Sequence, residues 1–220
     1  VVAGIAILTI LNTFIPIGPL LASVGVLGLA ISFGAQSLMK DLISGAFMLA
    51  EGQFAVGDVV RVGETAGLVE KITLRTLVLR DVHGVVHIIP NGNIATLSNM
   101  TKSWSRAVLE IGVAYKEDVD RVMEVMLDEA MKMYEDPEWA PLLVEEPVVP
   151  GVERFDDSAV TIRIMFKTLP LKQWDVGRQY RRRIKNRFDA EGIEIPFPHR
   201  TMYWGPDQNP ALHAGAPVEE

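Results

Sequence analysis

The sequence predicts a membrane protein of α+β class, in which an apolar helix leads into a small β-barrel and then into an α+β domain. Three observations carry this reading. No Asp, Glu, Lys or Arg occurs before Lys40. Residues 54 to 102 consist of short Val, Ile, Thr and Leu runs divided by turn pairs. From Ser105 onward the texture changes again, to strands alternating with two amphipathic helices. Lys40 and Asp41 are the only charges ahead of Glu51, so residues 51–220 hold 20 of the 21 basic and 27 of the 28 acidic residues and the net charge of −7.

As a single helix, the 39 residues up to Met39 would run about 58 Å at about 1.5 Å per residue, nearly twice a hydrocarbon core of about 30 Å. Pro16 and Pro19, with Gly18 between them, interrupt the run. They divide it into Val1–Phe14, too short to span alone and read as the end of a preceding membrane helix, and a complete helix from about residue 20. There is no initiator Met and no signal-peptide n-region, so the chain is expected to begin inside a longer protein.

Residues 20 to 39 read LLASVGVLGLAISFGAQSLM, dense in small residues: Ala22, Gly25, Gly28, Ala30, Ser32, Gly34 and Ser37 among them. Lipid supplies no hydrophobic drive for helices to associate, and small side chains let backbones approach closely enough for dispersion to do so. Gly25, Gly28 and Ser32 make one smooth strip. Leu29 and Phe33, one turn apart, are the bulky exceptions between strips. Two readings stand open here: a plain packing helix, or a helix repeated around an axis so that Leu29 and Phe33 stack as two apolar rings that gate by dewetting. After Gln36 the pattern becomes amphipathic, as expected of an interfacial helix to about residue 50.

In residues 52 to 102 the pairs Gly57-Asp58, Gly63-Glu64 and His83-Gly84 and the run Pro90-Asn91-Gly92-Asn93 read as tight turns of a small, Sm-like barrel. Val85–Ile89 lacks clean alternation and reads as a strand covered on both faces in a ring. His83 and His87 have no third or fourth ligand in the pattern and read as surface histidines. Residues 105–200 give a strand over 109–115, a helix capped by Asp118 with Val119, Val122, Met123, Met126, Leu127 and Ala130 inward, strands over 148–155 and 159–168, and a helix with Val176, Tyr180, Ile184 and Phe188 inward, closed by Gly192. The order βαββα is that of a ferredoxin-like α+β sandwich. Residues 201–220 read as a mobile tail.

Some functions are excluded. The absence of cysteine removes disulfides, thiolate metal sites and thiol nucleophiles. No phosphate loop or nucleophile elbow is present, so neither an enzyme nor a cofactor is expected. The basic run Arg178, Arg181, Arg182, Arg183, Lys185 and Arg187 keeps one rival reading alive, a membrane-tethered Sm-like RNA-binding protein. The acidic net charge and the lack of a stacking set weigh against it.

The strings GLAISFGAQSLMKDLISG and FAVGDVVRVGETAGLVEKITLRTLVLRDVHGVVHIIPNGNI closely resemble the pore helix and middle β-domain of the small-conductance mechanosensitive channel (MscS) family. TLPLKQW and IKNRFDAEGIEIPFPH resemble the end of its cytoplasmic α/β domain. The resemblance implies a homo-heptamer around a pore in the bacterial inner membrane, several spans per subunit, a cytoplasmic vestibule, and partners limited to lipids, ions and small solutes, with no nucleic acid. It implies opening by membrane tension in hypo-osmotic shock, with the constriction at Leu29 and Phe33, helix packing at Ala22, Gly25, Gly28, Ala30 and Ser32, and hinge candidates at Gly34, Ser37 and Gly45. Two positions depart from the best-known members, which carry Leu where this chain has Phe33, and Gly after the Gln where it has Ser37.

Overall fold

The computed structural model describes residues 18–200; the expectations for the Val1–Phe14 stub and the tail from 201 lie outside them. These residues divide into two compact units, the first ending at Lys102 and the second beginning at Ser103.

The first unit opens with α1, Gly18–Glu51, one unbroken helix. Pro19 sits in its first turn, where a missing N–H costs nothing, and the Ser23 hydroxyl donates to the Pro19 carbonyl at 2.9 Å, which settles a polar group inside an apolar run. The expected division into a pore helix and a separate interfacial helix is thus replaced by continuous helix. Nothing between Gly34 and Gly45 removes an N–H, and Ser37 continues a helix more readily than Gly does.

Five strands follow: β1 Val59–Val62, β2 Thr65–Ile72, β3 Thr76–Arg80, β4 Val86–Pro90 and β5 Leu97–Asn99. They form one antiparallel sheet in the order β4-β3-β2-β1-β5. Phe54, Val60, Val69, Leu77 and Leu79 are its core, and Ile89 of β4 and Leu97 of β5 pack on that same core, so the sheet curls around it as a small barrel. The curl is left open, since β4 and β5 pair only with their inner neighbours. β4 is accordingly an edge strand of the single chain, with Val86 and Ile88 exposed.

The second unit holds β6 Ser105–Val113, α2 Val119–Glu135, β7 Val148–Phe155, β8 Val160–Thr168 and α3 Gln173–Glu191, in the expected βαββα order. Its antiparallel sheet runs β6-β8-β7, with both helices contributing to one core that includes Leu109, Val122, Met126, Ile162, Phe166, Tyr180 and Phe188. Asp118 caps α2 by accepting from the N–H of Asp120 and Arg121. Gly192 ends α3 at φ 70°, its N–H reaching the Phe188 carbonyl, a conformation that costs L side chains energy. The α2 face differs by one step from expectation: Val125 and Met133 are buried, while Leu127 is exposed. The Tyr180 hydroxyl, buried among apolar groups, donates to the Met126 carbonyl at 2.8 Å, and its ring lies 4.8 Å from that of Phe166.

On the opposite face of the sheet, Glu110 accepts from Arg154 and Arg163. These two guanidiniums hold the Glu110 carboxyl below its ordinary range. Replacing the fully buried Phe166 with Ala is expected to cost about 3–5 kcal/mol and to lower the calorimetric midpoint of this unit by roughly 10 °C or more. Leu127→Ala, on the exposed face, should change stability by no more than about 0.5 kcal/mol.

Candidate functional site

α1 is the one helix among the described residues long and apolar enough to cross a membrane. Along it Ala22, Gly25, Gly28, Leu29, Ala30, Ser32, Phe33, Gly34 and Ser37 are all exposed. Among the described residues, a Cβ added at Gly25, Gly28 or Gly34 would meet nothing within 4 Å. The small-residue strip is therefore not used within the described part of the chain. Leu29 and Phe33 are 61% and 73% exposed, a large apolar area that only lipid or protein can cover favourably.

The C-terminal third of α1 is different, because it is seated on the β sheet. Asp41 and Gly45 are its buried residues, and Met48 packs against the sheet core. The Asp41 carboxylate accepts the N–H of Gly92 at 2.9 Å, and the Arg75 guanidinium lies 3.7 Å from its other oxygen. Gly92 belongs to a short 3-10 turn, Asn91–Asn93, which is itself pinned: the Asn91 side-chain amide donates to the carbonyls of Thr73 and Leu74 at 2.9 and 3.0 Å, and its backbone N–H to that of Arg75. Two glycines make the approach possible. A Cβ at Gly45 would stand 2.0 Å from the Leu74 carbonyl oxygen, and one at Gly92 2.6 Å from the Asp41 carboxylate.

This seat fixes how the helix is turned. At about 100° per residue, Asp41, Gly45 and Met48 form one stripe, Gly25, Gly28 and Ser32 fall roughly opposite it, and Leu29 with Phe33 points about 100° to one side. The continuous helix carries that rotation from the sheet to the apolar segment. Of the residues singled out by sequence, the structure brings only Gly45 into this contact. Asp41, Arg75, Asn91 and Gly92 went unrecognised, with Asn91-Gly92 read as a turn and Asp41 as part of an amphipathic pattern. The available signal was a lone carboxylate at the boundary of an apolar run, which demands a partner.

Other candidates resolve differently. His87 and His83 face the same Asp81 oxygen at 3.3 and 3.7 Å, and hydrogen bonds from the Val85 N–H, from His87 and from the His83 N–H hold the Asp81 carboxyl below its usual range. Among the described residues no group of three or more His, Cys, Asp or Glu side chains is arranged to hold a metal. In the basic run of α3, Arg178 pairs with Asp175, Arg183 with Asp136, Lys185 with Asp189, and Arg187 with Asp128 and Glu191. Most of the charge that would attract RNA is neutralised.

A membrane helix seated on a small β domain, with an α+β domain after it, defines a class of membrane channel subunits, and similarity to known proteins makes the assignment specific. The family described as "Mechanosensitive ion channel, beta-domain" matches residues 37–102, and that described as "Mechanosensitive ion channel MscS, C-terminal" matches residues 107–195. A small-conductance mechanosensitive channel of Caldanaerobacter subterraneus subsp. tengcongensis is 40% identical over 203 residues, which are 91% of this chain and 69% of that protein. The moderate conductance mechanosensitive channel YbiO of Escherichia coli is 35% identical over 99% of this chain, but the chain spans only 30% of it. The closed-state crystal structure of Helicobacter pylori MscS superposes with a TM-score of 0.73 at 21% identity, covering 87% of this chain and 75% of that one, which speaks for the fold. The chain belongs to the MscS family of mechanosensitive ion channels, and it is a membrane protein.

Removing the Asp41 acceptor should loosen the seat. Asp41→Ala leaves the Gly92 N–H buried and unpaired, at a cost of about 1–3 kcal/mol, so Gly92 amide exchange should speed up roughly fivefold to a hundredfold. Asp41→Asn, which keeps an acceptor oxygen, should restore most of the protection. Gly45→Ala should release the same amide by pushing the helix off the Leu74 carbonyl.

Proposed function

We propose that this chain is one subunit of a homo-oligomeric channel of the bacterial inner membrane, opened by membrane tension and passing ions and small solutes in hypo-osmotic shock. It has neither a catalytic role nor a nucleic-acid partner. The observation that carries the reading is α1 itself: an uncharged helix with a glycine strip on one face and Leu29 and Phe33 on another, whose rotation is set by the Asp41 seat. Copies of the helix packed strip against neighbour around an axis bring Leu29 and Phe33 inward as two apolar rings. Seven copies are expected from the family resemblance, and the exposed edges of β4 and β5 suit a closed ring of like contacts. Residues 103–200 form part of a cytoplasmic vestibule in this reading.

The mechanism is one of wetting. A narrow apolar ring expels water, and an ion cannot shed its hydration shell to cross the gap. Tension favours whichever state occupies more area in the membrane plane. Outward displacement of the helices, sliding on Ala22, Gly25, Gly28, Ala30 and Ser32, widens the rings until water fills them. Gly34 and Ser37 lie between the rings and the Asp41 seat, where a bend would let the upper helix move while the lower part stays docked. Gly45 is the third hinge candidate.

The gate is tested in excised patches of the full-length protein under graded suction. Leu29→Ser or Phe33→Ser should hold water in the constriction and leave a resting leak, whereas Gly28→Leu should spoil the helix contact and shift the opening tension. Unchanged resting current and threshold in both serine variants would remove these side chains from the gate. Assembly is checked separately by native mass spectrometry in detergent, where one large homo-oligomer is expected and a stable monomer would exclude a pore.

A further inference from the structure

The seat of α1 also brings an exposed group of cations to the level where the apolar helix ends. Met39 is the last residue of the uncharged run. Along a helix Asp41 lies about 3 Å and Gly45 about 9 Å beyond it, against an interfacial layer of about 5–8 Å on each side of the hydrocarbon core. The β2–β3 turn is bound at that level through Leu74 and Arg75. If α1 instead lies along the membrane surface in this region, the turn still sits in the same layer.

The chemistry presented there is one-sided. Lys40 is exposed, with its stem beside Gly92. The Arg75 side chain is 66% exposed although it approaches Asp41. Leu74, between the seat and Arg75, is 53% exposed. Lys71, just ahead of the turn, is exposed as well. The nearby acid, Asp41, is buried and engaged by the Gly92 N–H. A single apolar side chain flanked by cations at interfacial depth is the pattern of a contact with anionic lipid. The net charge of −7 does not oppose this, because screening confines each charge to about 8–10 Å.

We propose that Lys40 and Arg75 bind the headgroup phosphates of anionic phospholipids while Leu74 rests among the upper acyl carbons, so that the seat of the pore helix is also a lipid contact. The proposal rests on the membrane placement of α1 argued above. It adds that lipid charge sets how firmly the seat is held at the membrane surface, and hence how tension reaches the helix.

The test uses the full-length protein carrying Leu74→Cys, labelled with an environment-sensitive fluorophore and placed in liposomes with nitroxide-bearing phosphatidylglycerol or nitroxide-bearing phosphatidylcholine at equal mole fraction. Phosphatidylglycerol should quench several-fold more strongly at low salt. The excess should fall about fivefold per cation removed in Lys40→Gln and Arg75→Gln, and survive in Arg75→Lys. Asp41→Asn, which abolishes the ion pair but leaves both cations, should retain it. Equal quenching by the two lipids overturns the proposal, and so does quenching by neither, the result expected if a second copy covers the turn. Tension-gated current recorded in the same liposomes separates the two levels: current with equal quenching overturns only the lipid contact, whereas no current overturns the channel reading.

Discussion

A buried carboxyl group at the end of an apolar helix is the constraint around which this chain is organised. Asp41 stands two residues beyond the uncharged run and is buried, so it is satisfied by protein: the Gly92 N–H on one oxygen and the Arg75 guanidinium near the other. That single group sets the depth at which the β domain meets the helix and the rotation with which the helix leaves it. The rotation then decides the rest, turning the glycine strip roughly opposite the seat and Leu29 with Phe33 to one side. Had the carboxylate stood one residue earlier or later, every face of the apolar segment would be turned by about 100°.

The fit around the carboxylate leaves little slack. Gly45 and Gly92 are each in a place where even a methyl group would collide, with the Leu74 carbonyl and the Asp41 carboxylate respectively. Asn91 holds the turn from behind through two carbonyls of the β2–β3 connection. Seat, turn and connection therefore behave as one body. A rolling motion of the lower helix would strip the Gly92 N–H of its acceptor, whereas a bend above the seat, as proposed at Gly34 or Ser37, would leave every one of these contacts intact.

How much of this could be read from sequence depended on whether the signal was periodic or relational. The membrane helix was legible because the absence of charge before Lys40 is a property of consecutive residues. The helix of the second unit that carries Val176, Tyr180, Ile184 and Phe188 was legible because a buried stripe repeats every turn, and its end because Gly192 is needed at positive φ. The α2 face was read one step off, since Leu127 continues the apolar pattern but lies at the border of the stripe, where Val125 and Met133 compete for the core. The edge position of β4 was not legible because only strand order reveals that one side has no neighbour within the sheet.

The seat was illegible for a different reason. Asp41 and Gly92 are 51 residues apart, Asn91 and Thr73 are 18 apart, and each has a sufficient local explanation: a charge on an amphipathic helix, an Asn-Gly turn. Local sufficiency hides shared purpose. The residue whose local reading was least sufficient was Gly45, expected as a hinge candidate but set inside an unbroken helix, where Ala would be about 1 kcal/mol better by propensity alone. Such a glycine means that something must come close, and here what comes close is a backbone carbonyl that ties the membrane helix to the domain beneath it. The same argument separates Gly45 from Gly25, Gly28 and Gly34. Those three are equally costly to the helix, and among the described residues nothing comes close enough to account for them.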